Sequence, residues 1–266
     1  MSEEEVGGMR ALTKLGIGML AVIVLLSCAW MYHTHSMYED TYRSEYRYAV
    51  TVRTDFALHN ATFYVPLPMS EDGSKLGEEI LCENASKPEG WDCDLVETEH
   101  GTMLKIHTEE IIPDLHAPPP VPLPREEYGP DALSCPAQTH ASEQVSARVQ
   151  ADHGINTKYP VGNVSILSPK YNLARAVYRT PHPKDRTPPT CYEYESRIYA
   201  NYTASPDAEV SIHVELTGEN NWWVYGWSGN NYRDHVGVTL TGAQDGWCAA
   251  SGNLVAGEGR YGGRGI

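Results

Sequence analysis

A short aromatic run near the end of the chain carries the side chains best suited to contact a ligand. The run reads WWVYGW, and alternation along an extended strand would place Trp223, Tyr225 and Trp227 on one face. Asn221 and Asn230 flank it. Aromatic faces beside amides suit carbohydrates, because sugar C–H groups stack on rings while hydroxyls bond to amides. The sequence therefore predicts a carbohydrate-binding platform, with packing of these rings in a Phe-poor core as the alternative.

The sequence lacks the motifs of metal binding and of catalysis. Its eleven histidines include no His-Glu-x-x-His motif and no pair four residues apart. Ser228 follows Gly226 and Trp227, but the closing glycine of a Gly-x-Ser-x-Gly elbow is missing. Carboxylate pairs such as Glu109 and Glu110 are adjacent in sequence, so nothing positions them for acid–base work. The prediction is a protein that is not an enzyme and holds no metal or other cofactor.

The cysteines favour an oxidising compartment. Cys28 lies in an apolar run, and five further cysteines follow it without a Cys-x-x-Cys pair, so zinc is not expected. We expect a disulfide between Cys82 and Cys93 that closes a short loop, and a second disulfide among the remaining three cysteines. Because the number is odd, one thiol would stay free or join another chain in a homo-oligomer. The disulfide candidates are Cys82, Cys93, Cys135, Cys191 and Cys248.

Four Asn-x-Ser/Thr sequons follow the apolar run and none precedes it. Each would accept a glycan only if this part of the chain is exported, so their placement is consistent with an extracellular domain. The glycosylation candidates are Asn60, Asn84, Asn163 and Asn201.

An uncharged run over residues 15–32 predicts a transmembrane helix, because about 18 residues at 1.5 Å rise span roughly 27 Å. Arg10 and Lys14 precede it, and the next cation is Arg43, which predicts a cytoplasmic tail (1–14) and an extracellular remainder. Two alternatives are a cleaved signal peptide and a lipoprotein anchored through Cys28, which ends a loose Leu-Leu-Ser-Cys lipobox.

The following residues predict a juxtamembrane stalk over 33–45. Tyr38, Tyr42 and Tyr46 recur every four residues, which favours a helix, while a solvated linker is the alternative.

The rest of the chain predicts a mainly β fold. Period-two alternation begins at Tyr46 and recurs in residues 209–216, without a competing helical pattern. The Gly/Asn clusters at 218–221 and 228–231 predict turns on both sides of the aromatic run, and hence a three-stranded meander. We expect a first β region (46–112), a Pro-rich linker or excursion (113–136) and a second β region (137–266). Together they would form an all-β antiparallel ectodomain, sandwich-like, in one or two units.

The overall charge argues against nucleic acid as a partner. The chain carries 35 acidic and 20 basic residues, a formal net charge of -15, and few of the cations are lysine. Such a surface is frequent in proteins that work in concentrated salt, and an acidic extracellular protein is the other interpretation.

Several segments together resemble an uncharacterised group of membrane-anchored haloarchaeal proteins. They are Tyr48–Pro68 with its NATFYVPLP ending, Asn221–Trp223, Tyr232–Asp234 and Asp245–Trp247. The resemblance covers about half of the chain and implies a location at the cell surface but no activity. The six cysteines depart from the group, whose members usually have few.

These observations predict a single-pass membrane protein whose β-rich ectodomain has a structural, adhesive or binding role in the cell envelope. The expected partners are the membrane and an envelope polysaccharide or surface protein. A carbohydrate-binding module using the aromatic run is the alternative function.

Overall fold

The computed structural model describes residues 3–69, 86–113, 141–178 and 188–261. Cys82, Asn84, Cys135 and residues 114–136 of the Pro-rich segment lie outside these ranges. The described residues form one helix, α1 (Glu3–Thr41), and the strands β1 (Arg43–Thr54), β2 (Leu58–Met69), β3 (Asp92–Thr98), β4 (Gly101–Ile111), β5 (Ala141–Gln150), β6 (Ile166–Ser168), β7 (Tyr171–Ala176), β8 (Thr190–Thr203), β9 (Glu209–Trp223), β10 (Trp227–Thr241) and β11 (Gln244–Gly259).

Helix α1 includes the whole apolar run and continues beyond it. From Leu15 to Thr41 its mean hydropathy reaches 2.2, and none of its most apolar stretch is buried against the rest of the protein. The residues expected to form a stalk are helical as far as Thr41, and β1 begins at Arg43. The membrane-sized helix and the first strand are therefore almost directly connected.

The strands form one antiparallel sheet in the order β3-β4-β2-β8-β11-β10-β9-β1-β5, with β6 added to β2 and β7 to β8. Strands from the two predicted β regions interleave, since β1 lies between β9 and β5, and β2 lies between β4 and β8. The prediction of a mainly β, antiparallel fold is confirmed, and the two regions share one sheet.

The sheet curls on itself into a half-barrel. The Tyr48 hydroxyl of β1 donates to the Pro66 carbonyl of β2 at 2.8 Å, although four strands separate β1 from β2 in the sheet. Ser86 and Ser146 exchange two backbone hydrogen bonds of 2.8 Å, which join the segment before β3 to β5 at the opposite edge.

The core lies inside this curl and follows from strand alternation. In β1 and β9 buried residues alternate with more exposed ones over most of each strand, as the sequence predicts for Val50, Val52 and Val214. Each fully buried aliphatic side chain contributes about 1.5–3 kcal/mol. Several core positions are occupied by tyrosine. The buried Tyr48 and Tyr232 hydroxyls donate to the carbonyls of Pro66 and Ser165, whereas the buried Tyr202 hydroxyl has no hydrogen-bond partner among the described residues.

The predicted three-stranded meander is wrong. The chain forms a single long hairpin of β9 and β10 that turns at residues 224–226, where Tyr225 has a φ of 50°. Gly218 lies inside β9, where a glycine is needed because the Tyr232 ring occupies the space that a Cβ would fill. Asn220 also lies inside β9 and is buried rather than exposed in a turn. Glycine and asparagine serve close packing here, so they gave a false turn signal.

Candidate functional site

The predicted aromatic platform forms the tip of the β9–β10 hairpin, residues 222–227, which we call the hairpin tip. Trp223 ends β9, Tyr225 lies in the turn and Trp227 begins β10, so the three rings do not follow one another along a single strand. Their exposed fractions are 36%, 51% and 71%. These rings are mostly outside the core, and their predicted role in carbohydrate binding stays a prediction.

The hairpin tip packs against the C-terminal part of α1. The Tyr225 ring stacks on Trp30 with centroids 5.2 Å apart and an angle of 14°. Trp222 contacts Tyr38 and Tyr42 at 5.6 and 6.3 Å. Tyr38 lies in α1 and Tyr42 directly after its end, and both rings face the hairpin. Tyr46 lies in β1, so the helical stripe predicted for all three tyrosines is not formed.

A hydrogen bond from the hairpin backbone to the last residue of α1 fixes the contact between helix and hairpin. The Trp223 amide donates to Thr41 Oγ1 at 2.9 Å, and the same hydroxyl lies 3.2 Å from the Trp223 carbonyl. The end of α1 and the end of β9 are thereby joined directly.

The two asparagines predicted as sugar ligands bond within the protein. Asn221 donates to Glu219 at 2.9 Å. Asn230 accepts from Thr157 and Asn220 and donates to the Arg260 carbonyl, so it holds two loops onto the hairpin.

A second aromatic group, which sequence reasoning missed, lies on the outer face of the sheet. Tyr64, Tyr199 and Trp247 occupy directly opposed positions on β2, β8 and β11. The two tyrosines stack at 4.7 Å, and the Trp247 ring meets them edge-on at 6.1 and 5.4 Å. The three rings form a continuous row across three strands.

A row of polar side chains runs beside the aromatic row, two residues away from it on β2, β8 and β11. Thr62 bonds to His107 at 3.0 Å, and Asn201 donates to Asp245 at 3.0 Å. A shallow groove of about 330 Å³ lies between the rows, with Lys105 at one end. We call the two rows with this groove the outer platform. Rings beside amide, hydroxyl and carboxylate groups are the combination that recognises saccharides.

The outer platform has only a weak signal in the sequence. Thr62 and Tyr64, and likewise Tyr199 and Asn201, are pairs spaced by two residues, which indicates that each pair shares a strand face. That the two pairs meet depends on the register between β2 and β8, strands more than 130 residues apart in the chain.

A buried cluster, which we call the polar staple, lies inside the half-barrel. Asp234 is fully buried and accepts from the Leu167 amide at 2.8 Å, Lys170 at 2.6 Å and the Tyr194 hydroxyl at 2.6 Å. The Lys170 ammonium also lies 3.7 Å from the centre of the Tyr194 ring. The staple fastens β6 and the residues after it to β8 and β10.

Burial controls the protonation of the polar staple. It lowers the pKa of Lys170 to about 8, although the Asp234 carboxylate opposes this shift. Burial also raises the pKa of Tyr194, and Asp234 adds to that shift. Asp234 accepts three hydrogen bonds and the cluster lies inside the core, so its geometry is that of a structural ion pair rather than of a site open to substrate.

The glycosylation candidates differ in their surroundings. Asn60 is exposed with a φ of 51°, and Asn201 is exposed on the outer platform. The Asn163 amide nitrogen donates to the carbonyls of Tyr159 and Val161, so it is already engaged in a turn.

The cysteines within the described ranges are free thiols. Burial raises the pKa of Cys93 and of Cys248, which favours their protonated forms, and Cys191 accepts a hydrogen bond from Asn253. No disulfide joins two cysteines of the described residues, so a Cys191–Cys248 bond, one of the choices for the second expected pair, is not formed. The expected Cys82–Cys93 loop involves a residue outside those ranges.

Fold and sites together define a mainly β protein with one N-terminal apolar helix, long and apolar enough to be a membrane anchor or a signal sequence. In the part of the chain that the structure describes, no group of three or more His, Cys, Asp or Glu side chains is arranged to hold a metal ion. Comparison with protein-family models, curated proteins and solved structures found no match.

Proposed function

We propose that this protein is a single-pass membrane protein that displays its β-domain on the outer face of the cell membrane. The observation that carries the proposal is the exposure of the apolar part of α1. Leu20, Leu25 and Leu26 are 62%, 69% and 65% exposed, and none of the most apolar stretch of the helix is buried against the β-domain. In a bilayer the same side chains favour insertion, each by about 0.3–0.6 kcal/mol at the helix centre.

The contact between α1 and the hairpin tip supports retention of the helix over cleavage. Trp30 belongs to the apolar run and stacks on Tyr225 of the β-domain. Cleavage after the run would separate these rings, whereas a retained helix keeps them together. The orientation rests on Arg10 and Lys14, because cations near the end of a span favour the cytoplasmic side.

Membrane extraction and protease protection test the proposal on the full chain in intact cells. We expect the protein to stay in the membrane pellet after alkaline carbonate treatment. Protease added outside should release peptides from residues 46–261 and leave residues 1–14 attached to cells. The double variant Leu20→Arg/Ile23→Arg should lose membrane retention, with Leu20→Ala/Ile23→Ala as the matched control. Release of the wild-type chain by carbonate would refute anchoring, and protection of the β-domain would refute the orientation.

A second candidate function is saccharide binding by the outer platform. The specific observation is the register that brings Tyr64, Tyr199 and Trp247 into one row beside Asn201 and Asp245. The aromatic row offers apolar contacts to the C–H groups of a sugar, while the polar row supplies donors and acceptors. A glycan on Asn201 would occupy this same surface.

Affinity electrophoresis in gels that contain envelope polysaccharide tests this function. In Trp247→Ala the dissociation constant derived from the retardation should rise at least tenfold, which corresponds to a loss of about 1.4 kcal/mol in binding free energy. Trp227→Ala is the control at the hairpin tip. Loss of retardation only in Trp227→Ala would instead support the platform predicted from the aromatic run. Equal retardation of all three proteins would exclude both platforms.

A further inference from the structure

We infer that the hairpin tip is a second membrane contact, inserted into the lipid headgroup layer beside the end of α1. This inference rests on the proposed anchoring of α1, but it concerns a different element. The occupant of the exposed aromatic surface is therefore the lipid of the membrane that holds the helix.

The depth of the hairpin tip follows from its stacking on the helix. From Leu15 to Trp30 the helix rises about 24 Å, which brings Trp30 close to the edge of a hydrocarbon core of about 30 Å. The Tyr225 ring lies 5.2 Å from Trp30 in a nearly parallel arrangement. Tyr225 must therefore occupy the same layer as Trp30, and the rest of the hairpin tip lies next to it.

The side chains of the tip fit that layer chemically. Trp and Tyr combine an apolar ring with a polar N–H or O–H group, and they are enriched where hydrocarbon meets headgroups. Trp227 exposes 71% of its surface and Tyr225 51%, which is unusual for rings of this size in a folded domain.

A cation lies beside the tip at the position expected for a phosphate contact. Arg260 is exposed and donates to Ser228, the residue after Trp227, at 3.0 Å. Guanidinium groups near a membrane surface are attracted to phosphate-bearing headgroups. Aromatic rings with a neighbouring Arg thus match the boundary between apolar and charged layers.

Two attachment points would orient the β-domain on the membrane. From Trp227 to Thr241 strand β10 runs about 46 Å at roughly 3.3 Å per residue, away from the tip. Asp245 follows at the start of β11, so the polar row of the outer platform lies towards the end of the sheet farthest from the lipid. The outer platform is then presented to the environment of the cell rather than to its own membrane.

Fluorine NMR of the full chain in lipid nanodiscs tests the inference. All six tryptophans are replaced biosynthetically by 5-fluorotryptophan, and Trp→Phe variants assign the signals. The probe is phosphatidylcholine with a nitroxide on its headgroup, which broadens signals close to the headgroup layer. Trp30 reports on the helix, Trp223 and Trp227 on the tip, and Trp247 on the outer platform.

We expect strong broadening of Trp30, Trp223 and Trp227, with Trp247 unaffected. Broadening of Trp30 alone would overturn the inference and leave anchoring intact, and it is also the result expected if a second copy of the chain covers the tip. No broadening of Trp30 would refute anchoring itself. Broadening of Trp247 to the same extent would show a domain that lies flat on the lipid, which also overturns the inferred orientation.

Discussion

The hairpin tip and the polar staple depart in opposite directions from the usual distribution of side chains. The tip exposes Trp227 by 71% of its surface, whereas the staple buries Asp234 completely and leaves only 10% of the Lys170 side chain accessible. A protein ordinarily buries its large rings and exposes its charges.

The difference lies in where each region finds its partners. Asp234 has three donors inside the protein, so the staple is explained by the fold alone. Trp227 has no partner ring among the described residues, and Tyr225 contacts the helix with only part of its surface. A buried charge with a full set of hydrogen bonds has a structural role, while exposed rings beside an apolar helix are the basis of the membrane contact that we propose. The predictions below test this contrast by stability measurements.

Removal of the buried carboxylate should have the largest effect. Asp234→Ala leaves the Lys170 ammonium, the Tyr194 hydroxyl and the Leu167 amide without their acceptor. Loss of one partner of a buried pair typically costs about 3–5 kcal/mol. Urea unfolding in detergent, followed by circular dichroism, should show this loss of unfolding free energy. Asp234→Asn, whose side chain has nearly the same shape, should lose less unfolding free energy than Asp234→Ala. A loss below about 1 kcal/mol in Asp234→Ala would show that the staple is dispensable.

A methyl group added at Gly252, next to the polar staple, should cause the next largest loss of stability. Gly252 faces the Tyr194 ring so closely that an added Cβ would overlap ring atoms. Gly252→Ala must displace this ring and disturb its bond to Asp234, at a cost of about 1–3 kcal/mol. Gly226→Ala is the matched control at the hairpin tip, because nothing lies within 4 Å of its added Cβ. Equal stability of the two variants in the same urea assay would contradict this account.

The protonation of Lys170 should make stability depend on pH. Its pKa in the folded protein is about 8, below the usual lysine pKa of 10.5. Between these values the unfolded chain binds more protons, so the free energy of unfolding rises with pH, by about 1.5 kcal/mol from pH 8 to pH 9.5.

The variant Lys170→Met isolates this contribution, because burial also raises the pKa of Cys93 and of Cys248, and an upward shift makes the free energy of unfolding fall with pH. Urea unfolding at several pH values should show a more positive slope for the wild type than for the variant. Identical slopes would mean that Lys170 keeps its proton throughout this range.

Truncation of an exposed ring should barely change the stability of the β-domain. Trp227→Ala removes a side chain that is 71% exposed, and we expect a loss within about 0.5 kcal/mol. Trp91→Ala is the control, because Trp91 is 4% exposed and its loss should cost about 3–5 kcal/mol. A large loss in Trp227→Ala would place this ring with the core and end the contrast between the two regions.

The helix, the β class and the inward face of several strands can be predicted from the amino-acid sequence alone. These properties depend on local periodicity: an uncharged run long enough to span a bilayer in α1, and alternation in residues 46–52 and 209–216. Each can be read within one segment because the period of the side chains matches the period of the backbone.

The position of the hairpin turn, the order of the strands and the contacts between distant side chains are visible only in the folded protein. Gly218 and Asn220 resemble turn residues, yet the Tyr232 ring and the buried hydrogen bonds place them inside β9. The outer platform and the polar staple each combine residues from strands or loops far apart in the chain. Their formation depends on sheet register and curl, which arise from packing between distant segments and leave no periodic signal in the sequence.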